Sequence, residues 1–452
     1  MKFMEQKPKL TVSGYRGIWD KDLNEEIAFN FGLAFAKIIK KHNGKKILIG
    51  RDARKTGPQV LNAIQKAFKK EETETKYIGI IPTPSVLLLV KKLSYDGAII
   101  ITASHNPPKY NGLKFVMETG LFAIQKEIDE IQEEFDEINE KFTPETTEIF
   151  KEIDNKEFRK IHINEILKNI DVDLIKNKKF KVAHDPINSA GSIITKELLE
   201  ELGCEVFQIN KEQDGEFTHE PEPILKNLGQ LAEAVSKTNS IIGFAQDPDA
   251  DRLVLVNEKG EILNEEYTLA LAIKNILSKN PGDIAINMST SRMSEDIANT
   301  YNKKTYRTKV GEINVVEKMM EINAIAGGEG NGGVIYPTIS LSRDSLVGIA
   351  LVLELMAKEN KLISELVKDL PKYVMKKDKI TFNGELTMLY KNLKELFKHA
   401  SLNSLDGVRF DWPDSSWVHI RPSNTEPVLR IIGEAKDEKR INTIFEEIRL
   451  TL

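Results

Sequence analysis

Lys46-Ile47-Leu48-Ile49-Gly50-Arg51-Asp52-Ala53-Arg54 decides the fold: an apolar run breaks into a glycine and charged residues, and a helical pattern follows near Gln59–Lys69. A short continuous apolar run of this kind reads as a strand buried on both faces. The same layout recurs at Phe180–Pro186 with a helix near Ser192–Leu202, and at Asp283–Asn287 with a helix near Ser294–Tyr301. Three such units predict three α/β domains of related build, each wound on a partly parallel sheet. The last stretch differs. Val408–Trp412 and Ser416–Ile420 flank Pro413-Asp414-Ser415 as a hairpin, with a strand near Val428–Ile432 and a helix from about Asp437 to Arg449, which reads as a small α+β domain. Between the first two units, Ile124, Ile128, Ile131, Phe135, Ile138 and Phe142 form one apolar helical stripe whose intervening acids face water. Thr143-Pro144-Glu145-Thr146-Thr147 reads as the linker after it.

Composition narrows the function. A chain of 452 residues exceeds one core, and 40% hydrophobic with 29% charged residues is ordinary for a globular protein. The net charge of -5 supplies no basic footprint for nucleic acid. Cys204 is the lone cysteine, so neither an internal disulfide nor a cysteine-based zinc site is available. The start, Met1-Lys2-Phe3-Met4-Glu5, lacks a signal-peptide apolar core, and the run Ile81–Val90 is too short to span a bilayer. A soluble cytoplasmic protein, with no membrane partner, is the expectation.

Four loops carry chemistry. Gly97–Ile101 runs straight into Thr102-Ala103-Ser104-His105-Asn106-Pro107-Pro108, where the prolines fix the backbone and make Ser104 a candidate nucleophile on a rigid turn. His105 is its neighbour, but adjacent residues on a strand end point apart, so direct activation of Ser104 by His105 is not expected. Lys114, ten residues on, is a candidate general acid/base if burial depresses its pKa. Asp247, Asp249 and Asp251 alternate between two apolar strands, which suits convergence on one hard cation, Mg²⁺ or Ca²⁺. Arg252 stands where an EF-hand loop needs glycine, which excludes that motif, and its fork suits a phosphoryl group. Gly328-Glu329-Gly330-Asn331-Gly332-Gly333 formally matches the dinucleotide fingerprint and follows a strand at Ala324–Ala326. No helix comes after it, so Glu329 and Asn331 are read as facing hydroxyls. Arg421, Ser423, Asn424 and Thr425, with Arg430 beyond, form a donor cluster suited to a phosphate monoester. Each loop alone also reads as an ordinary polar turn.

Together, in this order and spacing, the four segments resemble the α-D-phosphohexomutase superfamily over essentially the whole chain. The resemblance implies four domains around a central cleft, three related α/β domains with mixed sheets plus a C-terminal α+β domain, the fourth being mobile. The division expected is 1–145 with a phosphoserine loop, 146–256 with a metal loop, 257–368 with a sugar loop and 369–452 with a phosphate loop. It implies that Ser104 carries a phosphoryl group and that Mg²⁺ binds Asp247, Asp249, Asp251 and a phosphoserine oxygen. Lys114 then lies near the reacting oxygen, Arg16 in Ser13-Gly14-Tyr15-Arg16-Gly17 lies near the phosphoserine, and Lys309 faces substrate. Glu329 and Asn331 would recognise sugar hydroxyls, while Arg421, Ser423, Asn424 and Thr425 hold the non-reacting phosphate. The implied partners are a hexose or hexosamine monophosphate and its 1,6-bisphosphate. Family members often carry serine and histidine where this chain has Asn331 and Gly333. The Gly-Glu-Gly-Asn-Gly-Gly form, with Arg-Thr-Lys-Val-Gly at 307–311, most resembles a branch commonly assigned as phosphoglucosamine mutase. Phosphomannomutase/phosphoglucomutase is the alternative, and a metal-dependent sugar phosphatase is more remote.

Overall fold

A computed structural model describes residues 9–143, 152–382, 384–422 and 428–451. Its strands form four sheets. In the first, Glu74–Ile80, Lys46–Arg51 and Gly97–Ile101 run parallel, and Tyr110–Met117 folds back antiparallel beside Gly97–Ile101. The second repeats this with Glu205–Gln208, Lys181–Asp185 and Ile242–Gln246 parallel and Leu253–Asn257 antiparallel. The third does so again with Thr305–Thr308, Ile284–Asn287, Ala326–Glu329 and antiparallel Gly333–Ile335. The recurring sequence layout is thus a recurring topology; the first sheet adds only the edge strand Tyr15–Ile18. The fourth sheet, from Val374–Thr381 to Val428–Ala435, is antiparallel throughout.

In the first three sheets the chain leaves the carboxyl end of a parallel strand and returns antiparallel along the sheet's other side. The turnover segments are 102–109, 247–252 and 330–332, and in the fourth sheet 423–427 joins two antiparallel strands. The three described motif loops therefore sit at one kind of hairpin connection; residues 423–427 lie outside the described residues.

Two local expectations are corrected. The apolar stripe is helical only over Gln125–Glu137; Ile138 turns extended at ψ 127°, and Phe142 packs on the core from irregular chain, 5.6 Å from the Phe29 ring. The strand before the sugar loop is Ala326–Glu329 rather than Ala324–Ala326. Its register is set by pairing with Ile284–Ile286, which outweighs the poor strand preference of its glycines. The linker at 144–147 lies outside the described residues.

One apolar core runs through the second and third units without a break, centred on the helix Ser345–Glu359. That helix is apolar on all sides, so it is stable only where it is buried all round. The fourth unit has a core of its own. It meets the third through polar contacts: Arg409 donates to the Met288 carbonyl, Arg292 N–H to Glu434 (2.9 Å), and Ser289 pairs with His419 Nδ1 (2.8 Å). Among the described residues, no helix is long and apolar enough to cross a membrane.

Phe31 is fully buried against the rings of Tyr15, Phe115 and Phe135, at centroid distances of 5.1, 6.2 and 4.0 Å. Phe31→Ala is expected to destabilise the first unit by about 3–5 kcal/mol, read as a lowered urea midpoint. Burial pushes His419 down to about 4, against 6.5 for a free histidine. As pH falls below 6.5 the unfolded chain takes up a proton that the folded chain refuses, so stability present above 6.5 is lost toward pH 4. The melting temperature should fall between pH 7 and pH 5, less steeply in His419→Gln. Some slope should remain because His184 is also held at about 4 by burial.

Candidate functional site

Ser104 ends the strand Gly97–Ile101 after two further residues and sits at φ +49°, the left-handed region that few non-glycine residues adopt. What holds it there is a mould beneath the loop. The buried Arg54 guanidinium donates to the carbonyls of Ser104 (2.6 Å), Asn106 (2.6 Å), Pro107 (2.8 Å) and Tyr110 (2.9 Å). Its Nε donates to Asp52 Oδ2 (3.0 Å), which also accepts from the Thr102 hydroxyl (2.6 Å); that hydroxyl oxygen in turn accepts the Ser104 N–H (2.8 Å). Five guanidinium donors are used, three of them on the loop and one on the first residue of the strand that follows it. Such strain persists only where surroundings over-determine it.

The left-handed turn also breaks strand alternation, and this corrects the reading of His105. Its Nδ1 lies 3.3 Å from Ser104 Oγ, on the same side rather than the opposite one. Burial, with Arg252 and Arg16 nearby, holds the imidazole pKa well below its ordinary value.

The second unit meets this serine directly. Ser104 Oγ donates to Asp247 Oδ2 at 3.0 Å. Asp247, Asp249 and Asp251 are all buried, and one oxygen from each lies within 4.8 Å of the others. The turn between them is closed by Ala250 at φ +53° and by the N–H groups of Asp251 and Arg252, which both donate to Asp247 Oδ1 at 3.1 Å. Asp249 Oδ2 accepts from Lys114 Nζ (2.7 Å) and the Thr83 hydroxyl (2.7 Å). Asp251 Oδ2 accepts from Arg343 Nη2 (2.5 Å) and Lys114 Nζ (3.4 Å). The second oxygens, Asp249 Oδ1 and Asp251 Oδ1, are buried without a hydrogen-bond partner. Burial and the neighbouring Asp251 and Asp249 charges raise the Asp247 pKa well above the carboxylate range. Burial would raise Asp249 too, but Lys114 outweighs it and the pKa is lowered. Two orphaned carboxylate oxygens beside a third carboxylate and a hydroxyl are a hard-oxygen donor set, which fits a divalent cation such as Mg²⁺.

Lys114 departs from expectation. Burial by itself would lower its pKa, but Asp249 and Asp251 outweigh that and raise it, so it is a fixed cation here. Arg16 is half-buried close by, with Nη1 donating to Asn106 Oδ1 (3.2 Å) and a buried Nε that has no hydrogen-bond partner. Arg252 lies 3.3 Å from Glu222.

The sugar loop abuts the metal loop: Leu253 N–H donates to Gly332 O at 3.2 Å. Gly332 has φ +83°, and a Cβ there would lie 2.1 Å from the Leu253 carbonyl oxygen, so only glycine fits. Glu329 is buried, with Oε1 accepting from Asn287 (2.8 Å) and Gly311 N–H (3.0 Å) and Oε2 from Arg343 (2.9 Å). Burial would raise its pKa, but Arg343 and these donors lower it. Asn331 turns its amide oxygen onto Gly333 N–H (3.2 Å), and Lys309 is exposed. In the fourth sheet Arg421 stands directly across from Arg430, with Asp406 3.7 Å from Arg421. Ser423, Asn424 and Thr425 lie outside the described residues.

The sequence matches Phosphoglucomutase/phosphomannomutase alpha/beta/alpha domain I over residues 7–142, domain II over 160–260, domain III over 264–374 and the C-terminal domain over 378–451. The chain belongs to the phosphoglucomutase/phosphomannomutase family. It is a phosphohexomutase, an isomerase that moves a phosphoryl group within its substrate. It is 35% identical to a phosphoglucomutase/phosphomannomutase of Thermococcus kodakarensis, over 96% of each chain. It is also 35% identical to a phosphoglucosamine/phosphogalactosamine mutase of Sulfurisphaera tokodaii, over 97% of each. A crystal structure of a phosphoglucomutase/phosphomannomutase family protein from Burkholderia thailandensis superposes with a TM-score of 0.82 at 25% identity, covering 98% of this chain and 97% of that one.

Sequence reading missed Arg54, Asp52, Arg343 and Thr83. The first two were visible in the opening stretch as charges at a strand end, but nothing local marked their partners. Arg54→Lys keeps the charge and loses the fork. Its kcat is expected to fall at least tenfold with KM for sugar phosphate within threefold of wild type, measured by steady-state kinetics.

Proposed function

We propose that the chain interconverts glucosamine 6-phosphate and glucosamine 1-phosphate through a phosphorylated Ser104 and a 1,6-bisphosphate. The observation that carries this is the contact of a moulded serine hydroxyl with a buried acid triplet, two of whose oxygens lack a hydrogen bond, from a second unit. In this reading Asp247, Asp249 and Asp251 with the phosphoserine would hold Mg²⁺, which supplies charge neutralisation for the phosphoryl in transit. Ser104 Oγ carries the phosphoryl group; its bond to phosphorus breaks as one to the sugar hydroxyl oxygen forms. The hydroxyl proton leaves toward His105, whose imidazole is held neutral, while Lys114 stays a fixed cation. Arg16, Lys114 and Arg252 face the transferring oxygens and keep them in line. Glu329 and Asn331 orient sugar hydroxyls, and Lys309 approaches the bound substrate from the third unit. Arg421, Ser423, Asn424, Thr425 and Arg430 hold the phosphate that is not reacting. The bisphosphate then reverses in the site and returns its other phosphoryl to Ser104.

Two features favour the hexosamine: the glycine-rich sugar loop and the name of the Sulfurisphaera relative. The Thermococcus relative's name supports mannose or glucose phosphate as the second reading. Coupled assays on glucosamine 6-phosphate, mannose 1-phosphate and glucose 1-phosphate decide: turnover of the first is expected, and turnover of only the other two assigns the second reading. Purified protein should carry a phosphoryl mass increment on Ser104. Ser104→Ala should lose it together with more than a thousandfold of activity, and EDTA should abolish turnover until Mg²⁺ is restored. A fully active alanine variant would refute the relay, and phosphate release without isomer formation would mark a phosphatase instead.

A further inference from the structure

We infer that Arg343 is a positioning residue that locks the metal-facing and sugar-facing carboxylates into one frame, and that position 333 is glycine to admit it. The Arg343 side chain is almost wholly buried and meets three carboxylates from three segments. Nη2 donates to Asp251 (2.5 Å), Nη1 to Glu329 (2.9 Å) and Nε to Glu312 (3.0 Å). The donor directions of a guanidinium are fixed in one plane, so three carboxylates on one guanidinium are fixed relative to each other; an ammonium imposes no such geometry.

Its base is rigid as well. Arg343 N–H donates to Glu312 Oε1 at 2.8 Å. The next residue, Asp344, caps the helix Ser345–Glu359 through the N–H groups of Leu346 and Val347, and its other oxygen lies 2.8 Å from His162 Nε2. A stem anchored so firmly delivers its fork to one place.

Each acid is affected in a definite way. Arg343 takes Asp251 Oδ2, and the oxygen without a hydrogen-bond partner is Oδ1; the choice made by Arg343 therefore decides which oxygen is left for a cation. Glu329 Oε1 is committed to Asn287 and Gly311, so Arg343 on Oε2 fixes the remaining rotation of the carboxylate. Gly333 has an ordinary backbone, and space is what requires a glycine. A Cβ there would lie 2.3 Å from Arg343 Cδ and 2.9 Å from Cγ. Any side chain at 333 would displace the stem.

The sugar-facing half rests on the mutase reading, so one readout is taken without turnover. In Arg343→Lys, the Mn²⁺ dissociation constant, followed by electron paramagnetic resonance, should rise at least threefold. KM for glucosamine 6-phosphate should rise at least tenfold, with a smaller fall in kcat. A variant with a lowered melting temperature but unchanged Mn²⁺ affinity and KM would show a purely structural role and overturn the assignment. Gly333→Ala should raise both constants in the same direction, and should change neither by more than twofold in an Arg343→Ala background. Independent, multiplicative losses would overturn the interlock. If wild-type protein turns over no sugar phosphate, the mutase reading fails, and the Mn²⁺ measurements still decide whether Arg343 sets Asp251.

Discussion

Three carboxylates buried within 4.8 Å of one another repel, and water is not there to screen them. Much of the surrounding structure answers that constraint. Lys114 comes from the first unit and Arg343 from the third, each ending on an oxygen of the triplet, with Arg16 and Arg252 close behind. Positive charge therefore has to be imported from other sheets, and this draws the units together at the point where Ser104 also arrives. Hydrogen bonding is left short. Asp249 Oδ1 and Asp251 Oδ1 have no hydrogen-bond partner, and buried carboxylate oxygens left unsatisfied favour a cation.

The topology explains why the loops can meet at all. Ligands of open α/β sheets collect beyond the carboxyl ends of the parallel strands. In the first three units the functional loop is the connection from such an end to an antiparallel neighbour, a short segment held at both ends by strand pairing. One frame thus presents a serine, an acid triplet and a glutamate. The differences between units are confined to a few residues per loop.

Much of this was legible in the chain. The repeated strand–loop–helix layout follows from apolar periodicity, and the Asp triplet announces itself because its three acids are adjacent in sequence. What was not legible has a common physical cause. Arg54 acts on backbone carbonyls that lie fifty and more residues away, and Arg343 on acids from separate loops; no local spacing encodes either. His105 was misjudged because alternation assumes extended backbone, and Ser104 at φ +49° is not extended. Lys114 would be a general acid/base only if burial or neighbouring cations depressed its pKa, and its acidic partners reverse that sign. In each case a rule about one residue was overruled by a neighbour distant in sequence.

The second and third units share one continuous apolar core, while the fourth keeps its own and touches the third through Arg409, Arg292 and His419. Interdigitated apolar packing has one good arrangement, whereas a seam of hydrogen bonds can re-form at another angle. The molecule is in this sense a pair of calipers. On the proposed reading its fixed jaw is the acid and glutamate frame of the second and third units, and the jaw that would adjust carries Arg421 and Arg430. On that reading the span between the two phosphates of a ligand would be gauged at the seam, so substitutions there would retune which sugar lengths and orientations are accepted without touching any group proposed to meet the sugar.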